Sequence, residues 1–392
     1  MRISFPDGFL WGSSTSAAQI ETASDHNWRG VKSRDGFIFD RTSDHELRRE
    51  EDLEYICSFG TVYRCGVDWA KLQPAPFAPF NPIVTGEYVR FFESLRSSGM
   101  SIMLVLHHFA HPRWFEAAGG WQTEDNLNAF VDFGQRVIRH FGPYVRFWNP
   151  FNEPNVFAMN AYAWGIFPPF RKNYFKSNRC LRMMSIAHGV LYDLIKAADP
   201  HAWVGISLNT AWFHSLHPLG WIPARFADWW FHRRASKRFT KCDFWGLSYY
   251  AYVPFTPFAV TEVDKPGKLG RLGIPHDKMW GYRPEGLGQM LRRFTKWYRK
   301  PIIVVESGIC TDDARTRIQS MKDYLMVCRK ALDQGVDLRG FFYWSTIDNF
   351  EWNLGPTYRF GLVQVDLNTK DRRMTEAGDF FSEICRENGV EI

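Results

Sequence analysis

Cysteine is sparse in this 392-residue chain, and its seven residues are scattered, odd in number and never spaced Cys-x-x-Cys. That argues against a disulfide framework or a zinc knuckle and fits reduced thiols in a cytosol. No apolar run approaches the length of a membrane span without charges, and the stretch behind Arg2 lacks the long apolar core of a signal peptide, so a soluble cytoplasmic protein is expected. Lysine and arginine form no block of the nucleic-acid-binding kind. The net charge of +6 is mild for this length, so no nucleic-acid partner is expected. No linker or low-complexity tract divides the chain, which reads as one domain over residues 1–392. A glycine-rich phosphate turn after an early strand is also missing, which argues against an open doubly wound sheet.

What the chain has in quantity is aromatic surface: 17% of residues are Phe, Trp or Tyr, and 17 are Trp. Such a supply suits either a cleft that stacks flat sugar rings or simply a Trp-rich core, and composition does not choose between them. Short apolar or β-branched runs recur at 9–14, 62–69, 101–108, 145–151, 203–209, 244–250, 301–306 and 340–347, as buried parallel strands should. Helical patterns follow at 48–59, 87–98, 123–141, 181–198, 225–239, 285–298, 316–334 and 375–387. Thr123 offers an N-cap hydroxyl, and Gly99 and Gly335 stand where helices should stop. Parallel strands need crossovers, and eight strand–helix pairs can close, so the fold class predicted is α/β, a (β/α)8 TIM barrel with its active site at the carboxyl ends of the strands. Long irregular stretches after strands one, four and six (22–47, 155–178 and 251–283) then belong to one rim.

Two of these strands end in glutamates. Phe147-Trp148-Asn149-Pro150-Phe151-Asn152-Glu153-Pro154 stops at a carboxylate held before a proline, which predicts an extended Glu153 at a strand end. Pro301-Ile302-Ile303-Val304-Val305-Glu306-Ser307-Gly308 is the second such run, and two strand-end carboxylates are the minimum equipment for cleaving a glycosidic bond. Gln19, Glu21, Arg64, His107, His108, Asn152, Tyr249, Trp344, Glu351 and Trp352 also fall at or just beyond strand ends, where a barrel gathers them. His107, His108 and His111 invite a metal reading, but no matching carboxylate or cysteine pattern accompanies them, and no metal is expected.

Five ordered blocks, 5–12, 152–154, 283–287, 305–308 and 344–361, together resemble glycoside hydrolase family 1, the β-glucosidase family, over nearly the whole chain. The blocks include Phe5-Pro6-Asp7-Gly8, Asn152-Glu153-Pro154, Val305-Glu306-Ser307-Gly308 and Tyr358-Arg359-Phe360-Gly361. The resemblance implies a retaining exo-β-glycosidase acting on small-molecule β-glucosides, with β-galactosides or β-fucosides as further substrates and no cofactor. It implies Glu153 as general acid/base, Glu306 as nucleophile, Arg64 and Tyr249 as partners of Glu306, and Asn152 as ligand of the 2-hydroxyl. Gln19, His108, Asn152, Trp344, Glu351 and Trp352 would hold the sugar, and Glu351 would repel a 6-phosphate. Two alternatives share these residues: a transglycosidase passing the sugar to an alcohol or glycolipid, and a catalytically silent sugar-binding protein.

Some positions depart from the family pattern. Phe109 stands where Trp is usual, Ser248 where Asn precedes the tyrosine, and Ser307 where Asn follows the nucleophile. Little chain separates Gln73 from the next helix, which implies a trimmed rim and a wider aglycone entrance. The stretch 225–239 interleaves aromatic and basic residues. As the fifth outer helix it would pack an apolar stripe inward; the other reading is an interfacial helix on a membrane surface.

Overall fold

The structure, a computed structural model, describes residues 2–256, 259–260 and 266–392. Eight parallel strands alternate with helices: β1 (Leu10–Ser14), β2 (Val62–Gly66), β3 (Ser101–His107), β4 (Val145–Phe151), β5 (Trp203–Ser215), β6 (Phe244–Thr256), β7 (Ile302–Ser307) and β8 (Leu338–Trp344). Each strand bonds the next in chain order, and β8 pairs with β1 from Gly340↔Leu10 to Trp344↔Ser14, which closes the barrel as expected. The outer layer comprises α1 (Arg49–Ser58), α2 (Pro82–Ser97), α3 (Glu124–Phe141), α4 (Tyr174–Ala198), α5 (Trp221–Asp228), α6 (Glu285–Tyr298), α7 (Ala314–Asp333) and α8 (Glu376–Glu387).

Alternation along the strands divides the core in two. Val62, Met103, Phe147, Phe244, Ile303 and Phe342 point inward and fill the barrel floor. Their neighbours Tyr63, Leu104, Trp148, Trp245 and Val304 point outward into the large cluster beneath the helices. The termini tie down together, Arg2–Ser4 pairing antiparallel with Gly389–Glu391.

The expected boundaries shift where local chemistry decides them. α2 starts at Pro82, because Asn81 caps it by accepting from the amides of Ile83 and Val84. α4 starts at Tyr174, where the Asn173 side chain accepts from the Lys176 amide. The short connection after Gln73 is pinned by that side chain, which donates to the Ala78 carbonyl and to Asp132. Thr123 caps α3 as expected, and Gly99 and Gly335 take φ values of +82° and +81° just past their helices, where a side chain would be strained.

Two differences are larger. β5 and β6 run six residues past their expected ends and pair out to Ser215↔Phe255, since Ala211, Val253 and Phe255 find a small apolar cluster of their own with Ala224 of α5. Part of the loop expected over 251–283 is therefore strand; residues 257–258 and 261–265 of that expectation lie outside the described residues. The stretch expected as one helix over 225–239 begins at Trp221, passes through a π-helical turn at Trp229–Arg233 and ends at Arg234–Ser236. Its second half packs an apolar stripe inward, with Phe231, Ala235 and Phe239 buried, but its first half does not: Ala224 is buried there while Trp221, Ile222, Phe226 and Trp229 are exposed. The helix rests on the narrow β5–β6 extension, which has room for a small side chain and little else.

Candidate active site

Arg64 occupies an inward position of β2, two residues after Val62, and is fully buried. An unpaired guanidinium there would be costly, and its partners come from β5, β7 and the residue just beyond β4. Nη1 donates to Glu306 Oε1 at 2.5 Å, and Nη2 donates to Asn152 Oδ1 at 2.6 Å and to Ser207 Oγ at 3.2 Å.

Glu306 reaches this guanidinium only through an irregularity in β7. Ile302 and Val304 face the helices and Ile303 and Val305 face the barrel, so strict alternation would send Glu306 outward. Against β6 the register jumps from Leu247↔Val304 to Ser248↔Glu306, and against β8 from Phe341↔Val304 to Tyr343↔Ser307. One extra residue at Val305–Glu306 forms a β-bulge, which turns the carboxylate inward. Its second oxygen accepts from the Tyr250 hydroxyl at 2.9 Å. Burial holds this carboxyl above its ordinary value, and Arg64 and the Tyr250 hydrogen bond oppose it.

Tyr249 does not serve here as expected. Phe244, Gly246 and Ser248 alternate with outward-facing Trp245, Leu247 and Tyr249, so Tyr249 lies beneath the helices and donates to the Arg283 carbonyl at 2.7 Å. Tyr250 is the residue on the inward parity, a signal already present in the sequence.

Glu153 lies two residues beyond Phe151, the last residue of β4, on the mouth side of that strand. Its φ of 42° and ψ of 56° are left-handed rather than the extended geometry expected before a proline. Helix formation from Pro154 and the hydrogen bond from its own amide to the Ser207 carbonyl hold this conformation, one that costs about 1–3 kcal/mol in a non-glycine residue. Its Oε1 accepts from Asn209 Nδ2 at 2.9 Å. Burial, then the charge of Glu306, pushes the carboxyl up to about 8. The two glutamates thus feel one another, with a cation bonded to one and a neutral amide to the other.

Asn152 links this pair to the next group, its Nδ2 meeting His108 Nε2 at 2.8 Å. That bond makes Nε2 an acceptor and puts the ring proton on Nδ1, which is buried and unbonded. Burial and then Arg64 hold His108 well below its ordinary range, so the ring is neutral. Gln19 Nε2 donates to Asn349 Oδ1 at 3.0 Å and Glu351 Oε2 at 3.3 Å, leaving its own Oε1 buried and unbonded. Burial, then the charge of Glu306, pushes Glu351 up to about 8, with Gln19 and Trp344 opposing. The Trp344 ring stands 5.6 Å from that of His108, and Trp352 5.9 Å from it on an aromatic bed of Trp28 and Phe109. A donor at His108 and an acceptor at Gln19 over aromatic faces suit a ring carrying several hydroxyls.

The structure separates other candidates from this group. Glu21 is engaged by Lys71 at 2.7 Å, by Arg49 at 3.5 Å and by the Tyr88 hydroxyl, and the two cations hold it below its ordinary value against the effect of burial. His107 meets His111 at 3.3 Å and receives the Trp121 indole at 3.4 Å, inside an aromatic layer, while His111 is bonded to Glu116. Asn209, Ser207 and Tyr250 are the members that the motifs did not reveal.

Known proteins resemble this chain over nearly its whole length. The family profile described as Glycosyl hydrolase family 1 matches residues 1–220 and 235–390. Beta-glucosidase A of Thermotoga maritima is 27% identical over 451 positions covering 99% of both chains, and thermostable beta-glucosidase B of Thermobispora bispora is 29% identical over 99% of this chain and 92% of its own. With 392 residues here against 451 aligned positions, the first alignment leaves at least 59 positions that this chain does not fill. The Thermotoga maritima beta-glucosidase in complex with azafagomine superposes with a TM-score of 0.89 at 26% identity, covering 99% of this chain and all of that one. The beta-glycosidase from Pyrococcus horikoshii superposes equally well, at 27% identity over 100% and 97% of the two chains.

Proposed function

Because this chain belongs to glycosyl hydrolase family 1 and is a glycoside hydrolase, we propose that it removes terminal β-D-glucosyl residues by double displacement, with Glu306 as nucleophile and Glu153 as acid and then base. The observation that carries this reading is the unlike bonding of two carboxyls that burial raises alike: Arg64 and Tyr250 bond Glu306 and favour its ionised form, whereas Glu153 bonds a neutral amide and is pushed up to about 8. In the first step Glu153 gives its proton to the glycosidic oxygen, the carbon–oxygen bond breaks, and the Glu306 carboxylate bonds the anomeric carbon. The aglycone leaves as an alcohol. Esterification then removes the Glu306 charge, one of the two influences that raise Glu153, so Glu153, a carboxylate since giving up its proton, stays ionised and accepts a proton from the water whose oxygen bonds the anomeric carbon as the bond to Glu306 breaks.

Asn152 is assigned to the sugar's 2-hydroxyl, and Gln19, His108 and Glu351 to the remaining hydroxyls, with Trp344 and Trp352 as apolar faces. Relatives named as beta-glucosidases support glucose, and the Thermotoga maritima enzyme in complex with galacto-hydroximolactam supports acceptance of β-galactosides as well. A panel of aryl β-glycosides tests this, and no release from any of them sinks the reading.

The pH dependence has a defined sign. Glu153 holds its proton below about 8 and loses it above, so kcat/KM for an unactivated glucoside falls as pH rises through that value. In Glu306→Gln the neighbouring charge is gone, and carbon-13 NMR of labelled glutamate should show Glu153 titrating lower than in the wild type. An unchanged titration would mean that the two groups do not interact.

The adjacent tyrosines separate cleanly. Tyr250→Phe removes a hydrogen bond to a buried charge and should lower kcat/KM by about 10- to 100-fold. Tyr249→Phe leaves the Arg283 carbonyl unpaired and should cost about 1 kcal/mol of stability with kcat/KM retained. The reverse pattern would return the role to Tyr249.

A further inference from the structure

Nineteen large apolar side chains are exposed among the described residues, and ten of them fall within 164–175 and 216–229. They are concentrated on the mouth side of the barrel. Asn209, which bonds Glu153, is followed by six more residues of β5, so Ser215 stands about 20 Å further out at the usual rise per residue. Leu219 is 70% exposed at this tip, and α5 with the π-helical turn after it then presents Trp221, Ile222, Phe226 and Trp229 on one helical face, Ile222 and Phe226 being 73% and 63% exposed. Residues 221–234 are also the stretch that the family profile passes over. The rim after β4 adds Phe175, 88% exposed in the first turn of α4, and the two segments pack together where Trp230 meets Tyr174 at 6.2 Å.

Charge on this face is as uneven as polarity. Residues 171–182 hold five cations and no acid, and residues 216–241 hold six cations and one acid, Asp228, which is engaged by His232 and Arg293. Their net of ten exceeds the +6 of the whole chain, so everything else is net negative. Among the described residues no carboxylate pairs with Lys172, Lys176, Arg182, Arg225 or Lys237. Arg234 and Arg238 share the neutral Asn178 oxygen.

We propose that this face docks the protein on an anionic lipid surface. Outward aromatic and aliphatic side chains match the boundary between head groups and acyl chains, and the surrounding cations match anionic head groups. A helix that buries alanine and exposes tryptophan, isoleucine and phenylalanine gains nothing in water from that orientation. Docking directs the barrel mouth at the bilayer, so the substrates favoured are β-glycosides carried on lipids. The substrate class rests on the glycosidase reading, whereas the docking does not.

Co-sedimentation of the full chain with vesicles tests the docking. Vesicles of phosphatidylcholine mixed with phosphatidylglycerol should retain about tenfold more protein than phosphatidylcholine alone, and added salt should release it. Ile222→Asp/Phe226→Asp and, separately, Lys172→Glu/Lys176→Glu should abolish retention. Both should keep turnover of a soluble aryl β-glucoside and lose turnover of a β-glucosyl lipid embedded in the vesicle. Absence of retention on anionic vesicles overturns the proposal. So does retention that survives both variants, or a stable dimer that Ile222→Asp/Phe226→Asp dissociates, which would assign the face to a second copy of the chain. Retention without turnover of any soluble glycoside would leave the docking standing and remove the glycosidase reading.

Discussion

Glu306→Gly should lose more than about 10⁴-fold in turnover of an aryl β-glucoside, equivalent to about 5.5 kcal/mol of barrel-bound transition-state stabilisation. Azide should restore part of it, giving the α-glucosyl azide from an activated substrate. Removing the carboxylate leaves the Arg64 guanidinium buried with only Asn152 and Ser207, and a small anion entering the vacated space regains that charge partner. The anion then attacks from the face that Glu306 used, so the configuration inverts once. Leaving a buried cation unpaired costs about 3–5 kcal/mol, and thermal unfolding of Glu306→Gly beside Glu306→Gln separates lost chemistry from lost folding. Turnover near the wild-type rate, or an azide product of β configuration, would remove Glu306 from the nucleophile's role.

Glu153→Ala should show an effect that depends on the leaving group. An alkyl glucoside needs a proton as its bond breaks and should slow by about 10²- to 10⁴-fold, while a dinitrophenyl glucoside departs without help and should form its glycosyl-enzyme within about tenfold of the wild-type rate. The second step then lacks its base, so the intermediate should accumulate and appear by mass spectrometry as the protein plus one hexosyl unit. The alkaline fall in kcat/KM near pH 8 should vanish with the residue that titrates there. Equal slowing for both substrates would make Glu153 a binding group instead of an acid.

Much of the scaffold could be read locally. The eight strands are short apolar runs bounded by turn residues, and all eight appear near their expected places because burial on both faces demands continuous apolar sequence. Helix ends were legible where a cap was written into the chain, as at Thr123 and Gly335, and were misplaced where Asn81 or Asn173 did the capping. The extent of β5 and β6 was not legible, since Ala211, Val253 and Phe255 become core residues only when α5 covers them. Which side of 225–239 meets protein was not legible for the same reason: Phe231, Ala235 and Phe239 pack inward while Phe226 and Trp229 stay exposed, depending on what lies beneath each.

For the candidate site, sequence alone marked Glu153 and Glu306 as strand-end carboxylates but took Tyr249 for the partner of Glu306, where the inward-facing residue is Tyr250. Tertiary structure decided what those residues touch. Arg64 meets Glu306 and Asn152 because the barrel closes, bringing together residues that lie 242 and 88 positions apart. Glu306 turns inward because β7 gains an extra residue against both neighbours, and a bulge is a property of paired strands that no single strand can announce. Local patterning fixes which residues form an element, since it reflects the chain's own preference for apolar and polar surroundings. Direction and partnership depend on the field and packing of other elements, which exist only after folding.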